Sequence, residues 1–166
     1  PIHHYRLGLT EIKIKQFIKL RNLLKKKIEF VVSTDCPKVK NYLKKFHWIK
    51  IHHRNKQLSK DDCLDDLIPV AGKICQHKHI LWTHVTSPNF NEKDYVNFIK
   101  LFFKKKNKKQ KSAFSAELIQ KFIFNEKTGW VSHDYKRKKW PRTQDLPKFY
   151  SLNSAAFIAP KYIYIK

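Results

Sequence analysis

Three short apolar runs, IEFVVS at 28–33, WIKIH at 48–52 and HILWTHV at 79–85, are separated by stretches whose apolar residues recur every three or four positions. That alternation constrains the fold more than any other feature. A brief run rich in β-branched and aromatic residues reads as a buried strand, and a three-to-four spacing reads as one face of a helix. Ile14, Phe17, Ile18 and Leu24 mark a helix opened by Thr10 or Glu11 and closed by the Lys-rich 25–27; Val39, Tyr42, Leu43 and Phe46 mark one opened by Pro37. Leu64, Leu67, Ile68, Ala71 and Cys75 mark a third, capped by Asp61 or Asp62, in which Pro69 is expected to force a kink or a later start. Tyr95, Val96, Ile99 and Phe103 follow Asn91 and Glu92 in a fourth. From residue 112 onward strands and loops dominate, with NEKTGW as a turn. Strand–helix–strand order with short connections predicts an α/β fold: a mostly parallel sheet, helices on both faces, right-handed crossovers.

The apolar fraction, 42% of 166 residues, is enough for one globular domain with a core. No apolar run reaches the roughly 18 residues that span a bilayer, and no signal peptide is visible, so a soluble, cytoplasmic protein is expected. Cys36, Cys63 and Cys75 have neither zinc spacing nor disulfide density and read as reduced structural thiols. Met is absent, which points to a processed chain or a fragment. The net charge of +23 ordinarily indicates nucleic acid, but 31 of the 36 basic residues are Lys, whereas bidentate recognition favours Arg. A Lys excess can also follow from codon bias. KKKNKKQK at 104–111 reads as a solvated helix end and loop, leaving weak polyanion binding as the expectation.

In sheets of this kind ligands lie beyond the carboxyl ends of the strands. Ser33-Thr34-Asp35 follows the first run, Arg54 the second, and His84 to Ser87 the third. Each has a plain alternative: Asp35 as a helix cap, Ser87-Pro88-Asn89 as a turn, Arg54 as a loop residue. Their shared placement favours a ligand site. His52-His53 and CQHKH at 75–79 lack the spacing of a metal finger and read as structural or surface residues, and no Gly-x-Ser-x-Gly elbow or activated Cys is present.

The ordered set FVVSTD, HRNKQLSKDD, THVTSP and WPRTQDLPKFYSLNSAAFI resembles the acylneuraminate cytidylyltransferases, the CMP-sialic acid synthetases. The resemblance covers nearly all of the chain. It implies a Rossmann-like nucleotidyltransferase sheet in a single domain, 1–166, with a dimerisation and substrate arm at about 117–152, acting as a homodimer. The implied activity is transfer of CMP from CTP to a sialic-acid-like nonulosonic sugar acid, with release of pyrophosphate and use of Mg2+. The implied nucleotide contacts are His3, His4, Asp35 and Arg54, and the implied substrate contacts are His84, Thr86, Ser87, Arg142, Gln144, Tyr150 and Asn153; no catalytic residue is assigned. His3 and His4 stand where the family has Lys and Asn, His84 where it has Gln, and Ser154 where Gly commonly follows the Asn. PIHHYRLG matches only the tail of the family's nucleotide segment, and the metal-binding Asp-x-Asp lies beyond the strand that AAFIAPKYIYIK resembles. DDCLDD at 61–66 reads as a capping cluster, so Mg2+ has no ligand motif in this chain and turnover is expected to be feeble at most. The alternative is a non-catalytic basic α/β domain that binds a nucleotide or a polyanion such as RNA.

Overall fold

The computed structural model describes residues 2, 4–25, 28–59, 64–105 and 111–165. His3, Asp61, Asp62 and Cys63 lie outside them, as does most of the 104–111 Lys run. The chain divides into two compact units: an arm, Ser115–Asn153, and a body formed by the remainder.

In the body, helix α1, Leu9–Leu24, starts after Gly8 and stops where Lys25 turns left-handed at φ 44°. Strand β1, Phe30–Thr34, leads through helix α2, Pro37–Leu43, to strand β2, Ile49–His53. The two strands pair in parallel, Phe30 beside Ile49 through Thr34 beside His53, as the crossover helix between them requires. Cys36, not Asp35, holds the cap position of α2; the Thr34 hydroxyl accepts from the Cys36 amide at 3.2 Å. Helix α3, Leu64–Ile74, contains Pro69, so the proline does not delay its start. The loss is one backbone bond, which leaves the Asp65 carbonyl without its usual helical donor.

Strand β3, His79–Trp82, is shorter than the apolar run that announced it. Helix α4, Glu92–Lys105, begins with a reciprocal cap: Asn91 Oδ1 accepts from the Lys93 amide at 2.9 Å, and Asp94 Oδ2 accepts from the Asn91 amide at 2.9 Å. The chain returns along strand β7, Phe149–Pro160, whose second half pairs antiparallel with β3, His79 beside Pro160 and Trp82 beside Phe157. Among the described residues, then, β1 and β2 are the parallel pair of the body, and β3 takes an antiparallel neighbour instead of extending a parallel sheet. The segment APKYIYIK is also not all strand: β7 ends at Pro160, and Lys161–Ile165 forms helix α5.

Alternate residues of β3 enter two apolar clusters. Leu81 joins Ile14, Leu20, Phe30, Leu43, Ile49 and Tyr95 beneath α1, α2 and α4. Ile80 and Trp82 join Ala159, Ala71 and Tyr164 beneath α3 and α5. Helices therefore cover both faces of β3, as period-two alternation within an apolar run demands. The α3–α5 contact is close because Gly72 has no side chain; a Cβ there would stand 2.5 Å from Ile165 Cγ1. No helix among the described residues is long and apolar enough to cross a membrane.

The arm contains strand β4, Ala113–Ile119, from Ser115 onward, the start of β7, and a hairpin of β5, Phe124–Asn125, with β6, Gly129–Trp130. The hairpin turns because Asn125 Oδ1 accepts from the amides of Lys127 and Thr128 at 2.8 and 3.0 Å, and Gly129 adopts φ 83°.

Candidate functional site

The carboxyl ends of β1 and β2 are joined through Ser33. Arg54, one residue past β2, donates from Nη2 to the Ser33 carbonyl at 2.6 Å and from Nε to the Ser33 hydroxyl at 3.3 Å, while its backbone amide donates to Thr34 O at 3.1 Å. The same hydroxyl stands 3.0 Å from His52 Nδ1. Arg54 is thus not a loose loop residue; its guanidinium is oriented by two bonds to one serine.

His84, two residues past β3, belongs to the same neighbourhood. Its Nε2 accepts from Trp82 Nε1–H at 2.8 Å, because an indole nitrogen can only donate, so the neutral ring carries its proton on Nδ1. Burial, and then the positive charge of Arg54, push the His84 pKa below its ordinary value. Burial and then Arg54 do the same to His52. Both imidazoles are therefore held toward the neutral form beside one fixed cation, and Arg54 supplies the permanent charge.

Ser33, Arg54, Thr83 and His84 line a cavity of about 1480 Å³ whose other walls are mostly apolar. Glu29 is the one carboxylate among the described residues that line it, and it binds the amide of Gln76 at 2.9 Å beyond the start of β1. A guanidinium with a hydroxyl and the His84 imidazole at one end of an apolar cleft suits an anionic group.

Thr86 and Ser87 do not line this cavity; they lie in the loop that runs from β3 to α4. That loop is clasped from α1. Lys13 Nζ donates to Ser87 O at 3.1 Å, to Phe90 O at 3.5 Å and to the Tyr95 hydroxyl at 2.9 Å, and Gln16 Nε2 donates to Pro88 O at 2.6 Å. Tyr95 passes the contact on, donating to Ala155 O of β7 at 3.2 Å. Burial lowers the Lys13 pKa to about 8 and raises that of Tyr95 to about 12. Lys13 and Gln16 escaped the sequence reading, although a signal existed: residues 13, 16, 17 and 20 form an i, i+3, i+4, i+7 stripe, so two polar side chains share the inward face with Phe17 and Leu20.

Asp35 is half-buried just after β1, and His4 is exposed in the turn between Ile2 and Tyr5. The remaining candidates belong to the arm. Arg142 already forms a two-pronged pair with Asp145, Nε to Oδ2 at 3.0 Å and Nη2 to Oδ1 at 3.3 Å. Gln144 and Tyr150 are exposed, and Gln144 O accepts from Gln120 Nε2 at 3.0 Å. Asn153 Oδ1 accepts from the Ser115 hydroxyl at 2.6 Å.

No family model and no curated relative matches this chain.

Proposed function

We propose that this chain is a cytidylyltransferase-like domain of the CMP-sialic acid synthetase type, which binds CTP at the ends of β1, β2 and β3. The observation that carries the reading is the convergence of Ser33, Arg54 and His84 on one apolar cleft, from three separate strand ends, with His52 against the Ser33 hydroxyl. In this reading Arg54 meets a phosphate, and the sugar acid approaches from the His84 side. Ser154 lends further support: it adopts φ 55° where the resembled family commonly has Gly, so the backbone has the glycine conformation without the glycine. The exposed Phe122, Phe124, Trp140 and Tyr150 of the arm suit the homodimer that the resemblance implies.

The family's Mg2+ does not fit the groups gathered here. Magnesium takes carboxylate and water oxygens in an octahedron, whereas this cluster offers a guanidinium, two imidazoles and a hydroxyl. Binding of nucleotide, with pyrophosphate release at or below the floor of a coupled assay, is the function that these residues support.

Thermal unfolding tests the reading. A ligand at about 100 times its dissociation constant adds roughly 2.7 kcal/mol to native stability. CTP without metal is expected to raise the melting temperature, and Arg54→Gln is expected to abolish the shift. No shift at millimolar CTP, or a shift unchanged in Arg54→Gln, would overturn it. The second reading, polyanion binding, is favoured by one observation: Lys136, Arg137, Lys138 and Lys139 are all exposed beside Trp140. Retention on heparin that collapses steeply with salt would support that reading.

A further inference from the structure

The cleft has a second property, independent of its polar end. It is lined by every residue from 29 to 33 and by every residue from 77 to 85. Successive side chains of a strand point to opposite faces, so a cavity lying against one face touches alternate residues. A cavity touched by consecutive residues lies along the strand's edge. Both β1 and β3 therefore border it edge-on: β1 has β2 on its other side, β3 has β7, and neither has a strand partner on the cavity side among the described residues.

The two edges run in the same direction. Their starts are tied through Glu29, which accepts from the Gln76 amide at 2.9 Å and pairs with Lys50 at 3.5 Å, while Lys50 also donates to Ile74 O at 2.8 Å. Their ends meet around Arg54. Above the gap stand Phe17, Leu20 and Val96 from α1 and α4, and below it Val70 and Ala71 from α3. Two peptide edges at the sides and apolar layers above and below specify one kind of guest. Water would serve the peptide groups but not the apolar layers, and a lipid or small hydrophobe would do the reverse.

We propose that the cavity is an acceptor slot for one extended apolar polypeptide strand of about five residues, the usual length of a strand, which joins the β2–β1 and β3–β7 ladders into a single sheet. The ladder already formed between β1 and β2 continues into the slot, so recognition is by β-augmentation on two sides at once. A strand buried on both faces must be apolar at every position rather than at alternate ones. Whichever way the guest runs, one of its ends emerges beside Ser33, Arg54 and His84.

Amide hydrogen exchange on the whole chain tests this with a blocked synthetic peptide, Glu-Ile-Val-Ala-Ile-Val-Glu, and the same peptide N-methylated at alternate residues. At roughly ten times its dissociation constant, the first peptide is expected to slow exchange about tenfold in Phe30–Thr34 and His79–Trp82 and to leave Phe124–Asn125 unchanged. The N-methylated peptide, at least as apolar but with methyl groups in place of the donors along one edge, cannot join both ladders and is expected to do nothing. No protection at millimolar peptide, equal protection by the methylated form, or protection centred on Phe124–Asn125 would each overturn the proposal. None of these outcomes depends on CTP, so the slot and the nucleotide site fail or stand separately.

Discussion

The body and the arm are held together by different means. In the body Leu43 and Tyr95 are wholly buried, and Ile14 and Leu20 nearly so, within a cluster that draws on several helices and strands. In the arm the apolar side chains gather without being covered: Trp130 contacts Phe122, Phe124, Tyr135 and Trp140 ring to ring, yet Phe124 is 62% and Trp140 66% exposed. Apart from Leu146, what the arm buries among the described residues is polar, Ser115 and Ser132. Ser132 is fully enclosed; its hydroxyl accepts from the Ile123 amide at 3.1 Å and donates to His133 Nδ1 at 3.0 Å, while His133 Nε2 donates to Lys139 O at 3.1 Å. The contrast teaches that a segment with abundant aromatics need not have a core; hydrogen bonds can set its path while its rings stay available.

The sharpest way to break this comparison is to truncate one centre in each unit. Leu43→Ala is expected to cost about 2–5 kcal/mol of global stability in urea unfolding, as buried leucines do. Ser132→Ala should cost less, about 1–3 kcal/mol, the penalty for orphaning a buried donor, and should act locally by speeding amide exchange at 123–131 while leaving the body's midpoint in place. An equal fall in both units would show that they unfold as one. Smaller again, and opposite in sign, is Ser154→Gly: relieving a non-glycine φ of 55° should raise the stability read from urea unfolding by about 1 kcal/mol. Least in size is the acid response of the site, because His52 and His84 are only half-buried. Their folded pKa values lie below the ordinary 6.5, so the unfolded chain binds protons that the folded chain refuses. Stability is then whole above that value and is lost as the pH falls through the folded values. Melting temperatures between about pH 7.5 and about pH 5.5 should drop less in Arg54→Gln, where part of the cause has been removed.

Much of the body was legible in the residues. The starts of α2 and α4 are written in Pro37 and in the Asn91–Asp94 pair, and the three strand runs fall within a few residues of β1, β2 and β3. The gathering of Ser33, Arg54 and His84 could be anticipated, since parallel order places those ends on one side. Other features were not legible. Thr86 and Ser87 looked like ligand groups by composition, yet the backbone carbonyls of Ser87, Pro88 and Phe90 bind Lys13 and Gln16 from seventy and more residues away, and no local pattern announces such a partner.

From α1 to α4 the sequence alone settled which segments are helix and which are strand, because period and capping are local and hydrophobic burial rewards one face at a time; it read as strand the closing segment that holds α5. Tertiary structure alone decided that β3 pairs antiparallel with β7 and not directly with β1, that Ser33 should orient Arg54, and that a buried lysine should clasp the loop ending THVTSP. Pairing partners and buried polar contacts join residues far apart in the chain, and only the packed body brings their donors and acceptors within reach of one another.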